Sequence, residues 1–209
     1  MSMRIYFIRH AESKFNLKEI ACNNQKRNRL TKKGKEQAEK LAKKLINIKI
    51  DKIFISEAKR AYETILPLIK ARKNIPVKKD NRLNECNFGI FGGLSFRAAE
   101  KKYPKIFKAR QTDLWNIPAP KGESYKDVFL RFRSFLNDLK KDAKKSQLEN
   151  IVIISHATPL KVFLVKYLGF SLKKVESIYF RNALFSIFDF QNGKIKLIQI
   201  NGRFYKKKI

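Results

Sequence analysis

The stretch Ile5-Tyr6-Phe7-Ile8-Arg9-His10-Ala11-Glu12 decides the fold of this chain, because an apolar run ends abruptly in charged and polar residues. Consecutive apolar positions that include β-branched residues are typical of a strand covered on both faces of a parallel sheet. The runs Ile53–Ile55 and Ile151–Ile154 have the same character. We therefore predict three central strands, each followed by polar residues at its carboxyl end.

Amphipathic segments separate these apolar runs. Apolar residues at helical spacing predict one helix after Thr31 and Gly34 and another over residues 58–69, which Pro67 should kink or shorten. A third helix is predicted over residues 128–139. The alternation of strands and helices predicts a three-layer α/β/α sandwich with a mainly parallel central sheet.

Two further signals lie in the last third of the chain. Thr158 and Pro159 suit the N-cap and the first position of a fourth helix. Apolar runs over residues 185–190 and 194–200 flank Gln191-Asn192-Gly193, which is a hairpin signal. We expect this hairpin to add antiparallel strands at one edge of the sheet.

Composition restricts the classes of function. A chain of 209 residues with 44% hydrophobic residues can fill one core, so we expect a single domain over residues 1–209. The formal net charge of +30 attracts phosphorylated solutes and other polyanions. The lysine-rich stretches are spread along the chain without a nucleic-acid reader motif, so nucleic acid is an unlikely main partner and solvated helix faces are the simpler interpretation.

The two cysteines, Cys22 and Cys86, lie far apart in the sequence, without a paired cysteine motif or histidines at metal-ligand spacing. We expect neither a disulfide framework nor a metal site. The segment Met1–Ile8 carries Arg4 and passes directly into polar chain, which indicates neither a signal peptide nor a membrane span. A cytoplasmic protein, monomeric or homodimeric and without a cofactor, is therefore expected.

The residues that follow the predicted strands can handle phosphate. His10 and His156 are the chain's two histidines, and each comes directly after a strand. A neutral imidazole can attack phosphorus, while guanidinium groups such as those of Arg9 and Arg60 hold the charge on phosphoryl oxygens. A buried ion pair for Arg9 and a surface salt bridge for Arg60 are the alternatives. The combination favours a site over core histidines.

Several motifs in this order resemble the histidine phosphatase superfamily, in the branch that contains the cofactor-dependent phosphoglycerate mutases and related phosphatases. The resemblance covers about residues 3 to 170. Its motifs are Arg9-His10-Ala11-Glu12, Leu30-Thr31 with Gly34 and Gln37-Ala38, Ser56 with Arg60-Ala61 and Thr64, Leu83 with Glu85 and Gly89, Gly122-Glu123-Ser124 with Arg131, and Ser155-His156.

The resemblance implies a phosphoglycerate-mutase-like fold and a metal-independent phosphatase acting on phosphorylated small molecules. It implies that His10 takes the phosphoryl group, whose charge is neutralised by Arg9, Arg60 and His156. Glu85 would protonate the leaving oxygen and then activate water. Further substrate-binding groups would be Ser13, Asn16 and the backbone amide of Ala157. Without the resemblance, Glu85 would be interpreted as a loop carboxylate that pairs with Arg82.

Departures from the family pattern leave every catalytic group in place. Ala11 and Ala157 stand where glycine is frequent, and Asn28 stands where an aspartate often precedes Leu-Thr. The added methyl groups affect how closely the backbone can approach phosphate.

Two rival functions remain open. A phosphoglycerate mutase would use the same residues, and a degenerate phosphate-binding or basic nucleic-acid-associated protein would only bind phosphate. The compact stretch between Glu85 and His156 favours hydrolysis, since the mutases carry a longer insertion there. Its basic residues are expected to be exposed and solvated: Lys101, Lys102, Lys105, Lys108 and Arg110.

Overall fold

The computed structural model describes residues 2–23, 28–192 and 194–205. Its strands are β1 (Ser2–Arg9), β2 (Lys52–Ile55), β3 (Val77–Lys79), β4 (Asn150–Ser155), β5 (Phe185–Gln191), β6 (Lys194–Ile200) and β7 (Arg203–Phe204). Its α-helices are α1 (Lys14–Leu17), α2 (Lys32–Leu45), α3 (Lys59–Ala71), α4 (Phe96–Lys102), α5 (Pro104–Thr112), α6 (Tyr125–Ser146), α7 (Ala157–Leu168) and α8 (Leu172–Ser177).

The strands form one mixed sheet in the order β3-β2-β4-β1-β5-β6-β7. The first four of these are parallel to one another, and β5, β6 and β7 are joined by antiparallel pairs. The three strands predicted from apolar runs, β1, β2 and β4, all lie in the interior of the sheet, as expected. Their carboxyl ends therefore meet at one edge of the parallel part.

Helices cover both faces of the sheet, because successive side chains of a strand point to opposite sides. Ile5 and Phe7 of β1 belong to one buried cluster, which includes apolar residues of α6 and α7. Tyr6 and Ile8 belong to the other, which includes residues of α2 and α3. This arrangement confirms the predicted three-layer α/β/α sandwich.

One helix prediction was wrong in detail, and one part of another was not met. α7 begins at Ala157 with His156 as its N-cap, two residues before the predicted start, because β4 ends at Ser155 and the chain turns directly into the helix. Pro159 still lies in the first turn, where its missing N–H removes no intrahelical hydrogen bond. Pro67 does not end α3 early, since the buried Leu68 continues the helix and its carbonyl accepts from the Arg72 amide at 2.9 Å.

The predicted hairpin is present, with β5 and β6 pairing antiparallel over residues 187–199. β5 itself is not an edge strand, because it pairs with β1 on its other side. Gly193 of the expected turn lies outside the described residues. Within the described ranges, no helix combines the length and apolar character needed to cross a membrane.

Candidate active site

The two histidines lie side by side at the carboxyl edge of the parallel strands. The His10 amide donates to the Ser155 carbonyl at 2.9 Å, and the Ser56 amide donates to the Ile154 carbonyl at 3.0 Å, so the strand register continues into the site. The His10 and His156 rings have centroids 5.0 Å apart. Residues 146 positions apart in the sequence thus form one constellation, as the strand pattern predicted.

Arg60 joins the two imidazole rings. It is the second residue of α3 and is only 1% exposed, so it does not form the surface salt bridge considered as its alternative. Its Nε donates to Nε2 of His10 at 3.1 Å, and Nη2 lies 3.1 Å from Nδ1 of His156. One planar guanidinium therefore fixes the orientation of both rings.

The hydrogen bonds of His10 define its tautomer. Its Nδ1 lies 2.7 Å from the Ala11 carbonyl oxygen, which can only accept, so Nδ1 carries the proton. Nε2 is then an unprotonated nitrogen that accepts from Arg60. Burial lowers the pKa of His10 well below its ordinary value, and the charges of Arg60 and Arg9 lower it further. The ring is therefore neutral at pH 7 and carries a nucleophilic lone pair on Nε2.

His156 adopts the opposite tautomer. Its Nδ1 accepts from Arg60, so Nε2 carries the proton and donates to the Ser56 hydroxyl at 2.8 Å. Burial lowers the pKa of this ring well below its ordinary value, with added effects from Arg60 and His10. Sequence reasoning did not include Ser56 among the site residues, although its place directly after β2 was a usable signal.

Arg9 lies at the cavity wall. Its Nη1 donates to the Phe180 carbonyl at 2.6 Å, and its guanidinium lies 5.6 Å from the Tyr179 ring centroid. Nε of Arg9 is buried and has no hydrogen-bond partner among the described residues. Within the same residues Arg9 forms no ion pair, so the buried-ion-pair alternative does not describe it.

Glu85 lies in the loop after β3 and points at the start of α7. Its Oε1 accepts from the Cys86 amide at 2.8 Å and from the Thr158 amide at 3.2 Å. The alternative pairing with Arg82 is wrong, because Arg82 instead pairs with Asp80 and Asp138.

Arg131 of α6 holds this loop in place. Its guanidinium donates to the carbonyls of Arg82 at 2.8 Å and Glu85 at 3.0 Å, and it pairs with Glu123 at 2.8 Å. The motif that contains Glu123 and Arg131 therefore positions the Glu85 loop.

The predicted substrate-binding residues differ in their positions. Asn16 and Ala157 line the cavity, whereas Ser13 lies behind Asn16 and donates to its Oδ1 at 2.9 Å. Asn28 donates to the Ser13 hydroxyl at 3.0 Å and accepts from the Phe15 amide at 3.2 Å. An amide at position 28 can make both bonds, which a carboxylate could not.

These groups surround a cavity of about 470 Å³. The cavity is lined by Arg9, His10, Arg60 and Glu85, and also by Arg110. The expectation that Arg110 is solvated was wrong, because α5 turns this side chain inward and leaves it only 6% exposed. Across the described parts of the chain, no group of three or more His, Cys, Asp or Glu side chains is placed to hold a metal ion.

Comparison with known proteins places this site in a family. The family model of the histidine phosphatase superfamily (branch 1) matches residues 5–202. Phosphoserine phosphatase 1 of Hydrogenobacter thermophilus is 28% identical over 212 residues, covering 97% of this chain and 96% of that protein. Human 6-phosphofructo-2-kinase/fructose-2,6-bisphosphatase 4 is 30% identical over 166 residues, covering 78% of this chain and 32% of that protein.

The fold has matching solved structures as well. The α-ribazole phosphatase of Shigella flexneri superposes with a TM-score of 0.83 at 23% identity, covering 99% of this chain and all of that one. The family match spans both histidines, both arginines and Glu85. The chain therefore belongs to branch 1 of the histidine phosphatase superfamily, and its function is that of a phosphatase.

Proposed function

We propose that the chain hydrolyses small phosphomonoesters in two steps through a phosphohistidine on His10. The observation that carries this proposal is the position of His10 on the cavity wall with Nε2 unprotonated, because the Ala11 carbonyl holds the proton on Nδ1. In the first step Nε2 forms a bond to phosphorus while the bond from phosphorus to the ester oxygen breaks. The leaving oxygen takes a proton from Glu85.

In the second step water attacks the phosphohistidine. Glu85 takes a proton from that water, the new oxygen–phosphorus bond forms, and the bond from phosphorus to Nε2 breaks. Inorganic phosphate leaves, and both His10 and Glu85 return to their starting states. The support for Glu85 in this role is its place on the cavity wall together with the fixation of its loop by Arg131.

The charge of the transferring group is neutralised by cationic and N–H donors. Arg60 donates to Nε2 of His10 at rest, and we propose that a phosphoryl oxygen replaces that nitrogen as its acceptor, which frees the nucleophile. We propose that Arg9 adds its Nε, which has no partner among the described residues, and that His156 contributes by accepting from Arg60 and so holding this guanidinium in place. Because guanidinium groups supply the positive charge, no metal ion is required.

Neutral donors complete the phosphate site. We propose that Asn16 and the first-turn amide of Ala157 bind phosphoryl oxygens, since the first amides of a helix lack intrahelical partners. Ser13 contributes by orienting Asn16, whose Oδ1 accepts from the Ser13 hydroxyl and amide.

The proposal also covers the substrate, the cellular location and the oligomeric state of the enzyme. One relative that matches over nearly its full length is a phosphoserine phosphatase, which makes O-phosphoserine the first substrate to assay. The Cys86 thiol is buried and forms no disulfide with another described residue, which suits a cytoplasmic protein. We propose a monomer or homodimer that acts on small phosphorylated molecules rather than on nucleic acid.

The test combines turnover with trapping of the intermediate. Wild type should release phosphate from a panel of phosphomonoesters at the same rate with and without a chelator. Rapid acid-free quenching with ³²P-labelled substrate should trap an acid-labile, base-stable phosphoryl group, and His10→Ala should remove both the label and the turnover. Labelling or turnover that persists in His10→Ala, or a requirement for added divalent metal, would contradict the mechanism.

A further inference from the structure

Arg110 is a buried cation in the cavity wall that the proposed chemistry does not use. Its side chain is 6% exposed, and it comes from α5 rather than from a strand end. Neither its Nε nor its Nη2 has a hydrogen-bond partner among the described residues. Its guanidinium carbon lies 5.9 Å from the centroid of the Phe88 ring.

A buried guanidinium whose N–H groups lack acceptors is energetically unfavourable unless an anion binds to it. Removing a guanidinium from water costs free energy that a ring face recovers only in part, so buried charges in proteins are normally paired. Another cation of the cavity wall shows the contrast, since Lys161 pairs with Glu176 at 2.7 Å, and Glu176 also accepts from the Tyr125 hydroxyl at 2.7 Å. Arg110 therefore remains available to a ligand, while Lys161 is already neutralised.

Arg110 belongs to a different part of the cavity from the catalytic arginines. The charges that lower the pKa of His10, besides burial, are those of Arg60 and Arg9. Arg110 instead opposes the rise that burial causes in the pKa of Cys86, which reaches about 12. Cys86 directly follows Glu85, the proposed proton donor to the leaving oxygen, so Arg110 lies on the leaving-group side of the cavity.

We infer that Arg110 binds a second anionic group on the leaving portion of the substrate, either a carboxylate or a second phosphate. The planar fork of Arg110 matches the paired oxygens of both groups, and Nε with Nη2 forms one face of that fork. This inference rests on the proposed function and adds a specificity-determining residue to it. It predicts a preference for phosphomonoesters that carry a further negative charge.

The test uses substrate pairs that differ only in the second anionic group. O-phosphoserine is compared with O-phosphoethanolamine for the carboxylate, and propane-1,3-diol bisphosphate with propyl phosphate for the phosphate. The quantity measured is the ratio of kcat/KM within each pair. Wild type should favour the doubly anionic member of at least one pair, and Arg110→Met should lower that ratio by about 10- to 100-fold, mainly through KM.

Two further variants distinguish the effect of the planar guanidinium from the effect of its positive charge. Lys108→Gln removes one positive charge from the exposed side of the same helix and should leave both ratios within about twofold. Arg110→Lys keeps a positive charge without the fork and should lower the affected ratio by less than Arg110→Met. A loss confined to the phosphoserine pair identifies a carboxylate, and a loss confined to the bisphosphate pair identifies a phosphate.

Three results would overturn the inference. These are wild-type ratios near one in both pairs, equal losses on all four substrates in Arg110→Met, and no loss on any of them. The first needs no variant, so it decides the matter even if Arg110→Met does not fold. Turnover of phosphoethanolamine or propyl phosphate by wild type would still support the proposed function in these cases, whereas no turnover of any substrate would reject that function and this inference together.

Discussion

Nε of Arg60 donates a hydrogen bond to Nε2 of His10 at 3.1 Å, so the nitrogen expected to attack phosphorus is occupied by an arginine before substrate arrives. The same guanidinium reaches His156 through Nη2. Ser56 and the Ala11 carbonyl hold the far nitrogens of the two rings. Arg60 thus links the nucleophile, His10, to the second histidine, His156.

Replacing Arg60 by lysine should lower kcat by about 10²- to 10³-fold, the usual effect of removing a donor that stabilises transition-state charge. Lysine keeps the charge but cannot contact both imidazole rings with a planar fork. Steady-state assays with p-nitrophenyl phosphate measure the loss. Arg29→Lys, which alters an exposed ion pair with Glu63, is the matched control and should stay within twofold of wild type. Equal activity of the two variants would remove Arg60 from the site.

The titration of the two histidines provides a second test. Their pKa values in the folded protein lie below 6.5. The chemical shifts of both imidazole rings in NMR should therefore show neutral rings from pH 8 down to at least pH 6.5. Arg60→Gln removes a positive charge and should move the His10 midpoint upward, whereas Arg29→Gln should not. A wild-type midpoint at or above pH 6.5 for either ring would contradict the assignment.

The same pKa shifts affect stability. The unfolded chain binds protons at its histidines near pH 6.5, whereas the folded chain resists them, so the free energy of unfolding should fall as pH drops below about 6.5. Each histidine contributes a slope of up to about 1.4 kcal/mol per pH unit between its folded and unfolded pKa values. Urea unfolding at pH 7 and pH 5.5 measures the change. His156→Gln should show a smaller decrease than wild type.

Glu85→Gln should reduce turnover of alkyl phosphates much more than turnover of aryl phosphates with acidic leaving groups. An alkoxide needs a proton to depart, whereas a nitrophenolate does not, and general acid catalysis contributes about 10²- to 10⁴-fold. Phosphate release from O-phosphoserine and from p-nitrophenyl phosphate gives the comparison. Glu100→Gln, on the exposed side of α4, is the control. Equal losses on both substrates would exclude Glu85 as the acid.

Net hydrolysis should exceed phosphoglycerate isomerisation. The chain has 70 residues between Glu85 and His156, arranged as two short helices, α4 and α5, followed by the long α6. Because this stretch is compact, we expect water to reach the intermediate, whereas a mutase requires solvent to be excluded. Incubation with 3-phosphoglycerate and a bisphosphoglycerate primer, following isomers and free phosphate together, tests this. Rapid isomerisation with negligible phosphate release would favour the mutase.

The sequence by itself determined which strands carry the site residues and at which end of the sheet these residues lie. Each short, β-branched-rich apolar run favoured a strand buried on both faces, and parallel neighbours bring their carboxyl ends to one edge, so the pattern predicted that His10, Arg60 and His156 meet. The three-layer arrangement followed for the same reason. Helical periodicity also predicted a helix after Thr31, and the structure shows Thr31 as the N-cap of α2, with its hydroxyl accepting from the Gly34 amide at 2.9 Å.

Tertiary structure decided what depends on contacts between distant segments. The periodicity of α5 could not show that Arg110 points into the cavity, because burial of one side chain depends on what packs over the helix. The tautomers of the histidines depend on the Ala11 carbonyl and on Ser56, whose positions are fixed by the sheet register. A hydrogen bond between residues far apart in the chain produces no periodic pattern in the sequence. Its partners can therefore be identified only in the folded chain.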